Sequence, residues 1–375
     1  MSSWTRVGLL GEGSYGIVSL AKSSSSSPSD SLQPDDVNSD PKLPPLFAVK
    51  SSEFSLSQPL QEERILLSEL QDCPNIIQCY GSEVTQEDGV IFYNVMLEYA
   101  AGGSLLDRIY YSPTPLLEDE VKRLTRSILK GLSYIHEKGC AHCDIKPSNI
   151  LLVDAGAGSN VAKIADFGLS KRVQKSSTKQ RRNKSKIDWK AWRGTAVYMA
   201  PESILCDEYD FGVDIWGLGC SVFEMLTKRV LRNISNSKVK DKAGLLVKMA
   251  NQRVEIPEGF SKEAKDFLEK CLVNDPVQRW TANMLLRHPF VSGLEAEEEE
   301  IGLISTSEVE LPEEDEDLEW LMKPMLLINP SAALQRRKRF LSDDSVSEIS
   351  SKRPKRLDLD RDIKPLGRGV LQPCC

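Results

Sequence analysis

His142 Cys143 Asp144 Ile145 Lys146 Pro147 Ser148 Asn149, running on into the apolar Ile150 Leu151 Leu152 Val153, carries the densest chemistry in the chain. Within it stand a carboxylate, an ammonium and a side-chain amide at spacings that suit transfer of a phosphoryl group to a hydroxyl. Asp144 can accept the proton of an attacking alcohol, Lys146 can sit against the transferring group, and Asn149 can offer a neutral oxygen to Mg²⁺. Three polar residues fall at a given spacing often, so the weight of the reading rests on what accompanies them.

Partners appear in order on both sides. Gly11 Glu12 Gly13 Ser14 Tyr15 Gly16 Ile17 Val18 reads GxGxxGxV, Phe47 Ala48 Val49 Lys50 reads as a strand ending in lysine, and Asp166 Phe167 Gly168 and Ala200 Pro201 Glu202 follow. Glycines let a backbone come close enough to phosphates for amide N–H groups to face them. A lone GxGxxG also fits a dinucleotide-binding turn, but this one lies between two expected strands, Val7 to Leu10 and Ile17 to Ala21, with no helix after it. In this order and spacing the set resembles the eukaryotic protein kinase family, over roughly residues 4 to 290.

The resemblance implies an α+β, two-lobed kinase fold in residues 1–290, with a small β-rich lobe and a large helical lobe, followed by a largely disordered regulatory tail in residues 291–375. It implies that ATP lies against Leu10, Gly11, Glu12, Gly13, Ser14, Tyr15, Gly16, Ile17, Val18, Ala48, Lys50, Glu98, Ala100 and Leu151. Catalysis falls by the same resemblance to Asp144, Lys146, Lys50 and Glu63, and Mg²⁺ to Asn149 and Asp166. Glu63 is preferred to its neighbour Glu62 because it precedes Leu66, Leu67 and Leu70 at the family's spacing, within a helical run from Leu60 to Leu70. Met96 Leu97 Glu98 Tyr99 Ala100 resembles the hinge between lobes, with Leu97 behind the adenine and backbone groups of Glu98 and Ala100 along its edge. Glu202 is implied to pair with Arg279.

Lys146 with Thr195 is the combination that resembles serine/threonine kinases. Gly194 Thr195 Ala196 Val197 Tyr198 Met199 Ala200 Pro201 Glu202 narrows the resemblance to MAP kinase kinase kinases, especially the plant MEKK-like branch, with Ala196 where that signature commonly has Pro. The implied reaction is transfer of the ATP γ-phosphoryl group to a hydroxyl of a protein, with a MAP kinase kinase as substrate. One rival is a pseudokinase-type binding module, although such chains usually lack one of the groups that are all present here; another is a nuclear kinase with a substrate outside the cascade. Cys143 departs from the family, most of whose members have an Arg there that pairs with a phosphate on the activation loop.

Composition sets outer limits. The 375 residues are 40% hydrophobic and 27% charged, ordinary for a globular domain with a tail. Nine Cys without an apolar N-terminal signal, and no uncharged run near the eighteen or so residues of a membrane span, lead us to expect a soluble intracellular chain with reduced thiols. Cys140 and Cys143 spell CxxC, but no second pair accompanies them, and three His (His136, His142, His288) do not make a metal cluster. Residues 23–45, rich in Ser, Asp and Pro, read as a flexible insertion between strands.

Beneath the net charge of −7 lie opposed blocks: ten Lys or Arg against Asp188 in residues 171–193, and thirteen acids without a base in residues 295–319. Farther on, Trp320 Leu321 Met322 and Met325 Leu326 Leu327 Ile328 are apolar. Arg336 to Arg339 and Lys352 to Arg356 then form two basic clusters twelve residues apart, which resemble a bipartite nuclear import signal read by an import receptor. Ordinary surface charge or a nucleic-acid contact would also produce them, although nothing points to nucleic acid directly. Nuclear location with a cytoplasmic pool is the expectation. Cys374 and Cys375 do not form a prenylation box, and no membrane partner is expected.

Overall fold

The computed structural model describes residues 4–13, 16–24, 43–154, 160–173, 193–232, 242–252 and 254–293. Ser14, Tyr15, most of the expected insertion, residues 174–192 and the tail from residue 294 on, with its acidic run and basic clusters, lie outside these, as does the Glu12 side chain.

Five antiparallel strands open the chain: β1 (Trp4–Gly13), β2 (Gly16–Ser23), β3 (Leu46–Glu53), β4 (Cys79–Glu87) and β5 (Val90–Leu97), in the order β1-β2-β3-β5-β4. The first two are longer than their apolar cores suggest, because backbone pairing continues from Trp4 opposite Ser23 to Gly13 opposite Gly16. At Ser23 the amide donates to the Pro45 carbonyl at 3.0 Å, so the chain leaves the sheet and returns to it at one point. Trp4, Ala21, Phe47, Val49 and Met96 form a small core on one face. On that side the two edges of the sheet meet through side chains. The Trp4 indole donates to Glu83 at 2.7 Å, and Arg6 donates to Glu87 at 2.5 and 2.6 Å, to Asn94 at 2.8 Å and to Ser51 at 2.9 Å.

Helix α1 (Gln58–Glu69) interrupts the sheet, starting with a proline in its first turn, where the missing N–H is no loss. Its inner face buries Leu60, Glu63 and Leu67. The segment between α1 and β4 is tied to the second half of the domain: Ile77 N donates to Ile164 O at 3.0 Å and Ile164 N to Asn75 O at 2.9 Å.

The second half is helical. After the hinge, α2 (Leu105–Tyr111) starts from a capping box of Ser104 and Asp107. Three acids in the first turn of α3 (Glu118–Glu137) complement its dipole, and Leu124, Ile128, Leu132 and Ile135 make its buried face. Each such side chain contributes about 1.5–3 kcal/mol on burial. Two short sheets follow, β6 (Cys140–Ala141) with β9 (Lys171–Arg172) and β7 (Ile150–Asp154) with β8 (Asn160–Ile164). Then come α4 (Pro201–Cys206), α5 (Gly212–Thr227), α6 (Lys242–Ala250), α7 (Lys262–Cys271) and α8 (Ala282–Leu285). Helix α5 is buried from Val213 to Met225, and α3 and α7 pack on it in one continuous core. Packing runs on through Phe290 and Val291, both buried. No helix among the described residues is long and apolar enough to cross a membrane.

Glu202 and Arg279 meet as the sequence implies. The guanidinium donates to both carboxylate oxygens at 2.6 and 3.0 Å, to the Val273 and Gly212 carbonyls, and lies 5.2 Å from the centre of the Trp216 ring.

Candidate active site

Alternation along β3 turns Lys50 toward the helical half. Its ammonium donates to Glu63 Oε2 at 2.7 Å and to Asp166 Oδ1 at 3.0 Å, joining sheet, α1 and the segment after β8. Burial works against the charged lysine, but the two carboxylates outweigh it and hold its pKa above the ordinary range. Glu63, just 3% exposed, is pushed up by the same burial, which its lysine partner only partly offsets. Burial opposes ionisation of Asp166 as well, yet the adjacent ammonium prevails and draws its pKa down. Glu63 Oε1 also accepts from the Phe167 amide at 3.1 Å. Glu62 meets none of these groups; it accepts from Gln58 at 3.2 Å on the exposed side of the helix.

The loop from His142 to Asn149 is hung on Asp214, in the first turn of α5. That fully buried carboxylate accepts from the amides of His142 and Cys143, both at 2.8 Å, and meets His136 Nε2 at 2.8 Å. The His142 ring lies against Phe167, centroids 4.9 Å apart, and meets the Ala165 carbonyl at 3.1 Å. Between these anchors the backbone bends through Cys143 at φ 67°, and Asp166 sits at φ 63°, both unusual for residues with a Cβ. Asp144 thereby lies among four donors. Oδ1 accepts from the Thr195 amide at 2.9 Å and hydroxyl at 3.0 Å, and Oδ2 from Lys146 at 2.6 Å and Asn149 at 3.0 Å. Lys146 also donates to the Thr195 hydroxyl at 2.7 Å. A hydroxyl is thus held between a carboxylate and an ammonium.

Along the hinge, the Glu98 amide donates to Gln78 O at 2.9 Å and the Ala100 carbonyl accepts from Gly103 at 3.0 Å. The Glu98 carbonyl and Ala100 amide remain, one acceptor and one donor without a partner among the described residues. The Glu98 side chain holds the hinge in place through Lys163 of β8 at 2.7 and 2.9 Å. Leu151 lies on β7 in a bridge with Ser104, and its neighbour Leu152 bonds Gly102 and Gly103, which ties this strand to the end of the hinge. Leu10, Gly11, Ile17 and Val18 belong to the β1–β2 hairpin and Ala48 to β3. At Gly16 a Cβ would stand 2.1 Å from the Ser51 carbonyl, so that position admits only glycine.

The donor set suits ATP with Mg²⁺. Asn149 donates its Nδ2 to the Asp144 carbonyl and carboxylate, which leaves its Oδ1 as a neutral oxygen that could meet a cation. Asp166 commits one oxygen to Lys50 and keeps the other. Among the described residues no three His, Cys, Asp or Glu side chains gather to hold a metal by themselves. Two oxygen donors completed by phosphates are the way Mg²⁺ is usually held. Cys140 and Cys143 are both buried, and the Cys143 thiol points to the Ala141 carbonyl at 3.6 Å.

Asp214, His142 and Lys163 organise this site without having been singled out for it. Asp214 offered one signal, a carboxylate opening an otherwise apolar helix; the partners of the other two are 23 and 65 residues away in the chain.

A paired lysine and glutamate beneath a glycine-rich hairpin, facing a carboxylate that holds a hydroxyl, define a phosphotransferase. The family model for the protein kinase domain matches residues 4–291. Mitogen-activated protein kinase kinase kinase 20 of Arabidopsis thaliana is 40% identical over 290 residues, 77% of this chain and 78% of that protein. Mitogen-activated protein kinase kinase kinases 17 and 18 of the same plant are 38% and 36% identical, over 77% and 79% of this chain and 69% and 79% of theirs. The chain belongs to the protein kinase family, as an ATP-dependent serine/threonine kinase of the MEKK-like branch.

Proposed function

We propose that this kinase phosphorylates a MAP kinase kinase, using Asp144 to orient and deprotonate the acceptor hydroxyl and Lys146 to meet the transferring phosphoryl group. The observation that carries the roles is the Thr195 hydroxyl lying between the Asp144 carboxylate and the Lys146 ammonium at 3.0 and 2.7 Å. Lys50, fixed by Glu63, positions the nucleotide phosphates, and the hinge groups of Glu98 and Ala100 take the adenine edge. Asn149 and Asp166 would hold Mg²⁺, which when bound would neutralise phosphate charge. The cascade substrate is supported by the names of the relatives, each a kinase kinase kinase. Nuclear location is supported by the two basic clusters of the tail.

Asp144→Ala, Lys50→Met and Asp166→Ala are each expected to lower turnover at least about 10²- to 10⁴-fold while leaving the domain folded. Radiolabelled ATP with a panel of purified kinases and transcription regulators tests both roles and substrate. Wild-type turnover in the mutants removes the site assignment, and labelling of the regulators alone removes the cascade substrate.

A further inference from the structure

The segment between Asp166 and Glu202 is held at both ends by unmodified side chains. At its start, Arg172 donates to the Glu69 carboxylate and, at 3.2 Å, to the Lys138 carbonyl, while Val173 N donates to Gly139 O at 2.9 Å. At its far end, Arg193 donates its guanidinium back to the Leu169 carbonyl at 3.3 Å and its amide to the Tyr209 hydroxyl at 2.7 Å. Arg193 therefore spans the two ends directly. Next to it Gly194, at φ 102°, lies so close to the catalytic loop that a Cβ would stand 2.7 Å from the Cys143 carbonyl.

Arg172 has a second consequence. Glu69 is the last residue of α1, the helix that carries Glu63, and Glu63 already accepts from Phe167 N. Their separation of six positions spans about 9 Å of helix axis. The helix is thus pinned to the segment at two separated points, which resists both its translation and its rotation away from Lys50. Cys143 contributes no cation to this arrangement.

We infer that Arg172 and Arg193 are positioning residues that keep Lys50, Glu63 and Asp166 assembled when residues 174–192 carry no phosphate, so that the unphosphorylated enzyme turns over. The inference rests on reading those three residues as the nucleotide site.

The full chain is treated with phosphatase until its intact mass shows no phosphate, and kcat and KM are measured with dephosphorylated casein as a generic acceptor. Wild-type enzyme is expected to keep at least about half its kcat, because nothing in the clamp requires modification. Arg172→Glu is expected to lower kcat about three- to fivefold, the upper part of the range an exposed ion pair covers, with the KM for casein little changed. The swap Glu69→Arg/Arg172→Glu restores most of that loss, and a melting curve of each variant separates misfolding from mispositioning. Arg193→Ala is expected to act in the same direction. A loss above about tenfold on phosphatase treatment, reversed by autophosphorylation, overturns the inference. So does Arg172→Glu with wild-type kcat, or a folded swap variant that stays impaired. Lys50→Met with wild-type turnover instead removes the nucleotide-site reading, whatever the phosphatase result.

Discussion

Cys143 shows how much one side chain leaves to its surroundings. Burial pushes its thiol well above the usual range, and the neighbouring Asp214 carboxylate adds to the effect, so the sulfur stays protonated and unreactive. Cys271 is likewise pushed up by burial, and Cys220 is raised to about 12. Cys206, by contrast, is exposed. Among the described cysteines a maleimide at pH 7 to 8 is therefore expected to label Cys206 first in the folded protein, and Cys143, Cys220 and Cys271 only after unfolding. Peptide mapping of a time course gives the order; early labelling of Cys143 would show that the catalytic loop opens readily.

At the scale of elements, two of the side-chain bridges that join strands or helices far apart in the chain bear directly on stability. Arg279→Met breaks the buried pair with Glu202 and strands a carboxylate, and is expected to cost about 3–5 kcal/mol, read as a fall in urea midpoint without a change in slope. The bridge across the sheet edges is pH-dependent. Arg6 and then Thr85 hold the Glu87 carboxyl below its ordinary value of 4.5. A depressed folded pKa means that the contribution is fully present above that value and is lost as pH falls through the folded one. The stability difference between wild type and Arg6→Met should thus be constant near neutrality and shrink in acid; a difference that does not shrink in acid would assign the effect to the Arg6 bonds to Ser51 and Asn94 and its packing on Trp4. Helix α3 was legible in the sequence because its apolar residues Leu124, Ile128, Leu132 and Ile135 recur at 3.6, and the Lys50–Glu63 pair followed from motif spacing. The edge bridge was not legible, since Trp4 and Glu83 are 79 residues apart and no local pattern links them. The same holds for Arg172 and Glu69, 103 residues apart, and for the loop hung on Asp214.

For the whole molecule, composition divides kinase domain from tail, and the family match ends at residue 291. Residues 171–193 sum to +9 and residues 295–319 to −13. Single exposed pairs contribute about 0.2–1 kcal/mol, but many charges tethered on one chain act at high effective concentration. Truncation after Gly293 is expected to leave a folded domain and to raise activity at low salt, with the gain shrinking as screening grows. Equal activity of both forms at low salt would exclude such autoinhibition. The same truncation removes both basic clusters, so in a fusion too large for passive entry it is expected to remain cytoplasmic while the full chain enters the nucleus.

The hydrogen bond between Ser23 and Pro45 has a further meaning for how this chain can change. Because the neck is already closed at 3.0 Å, whatever is strung between those residues adds only the slow cost of a longer loop, about 0.6 kcal/mol for each doubling of length. Strand register, and with it the placing of Lys50, is set by the stem alone. That makes the junction a tolerant point for grafting: a folded sensor domain with adjacent termini, or a new pair of chain ends, can be accommodated there without moving the groups that face the nucleotide.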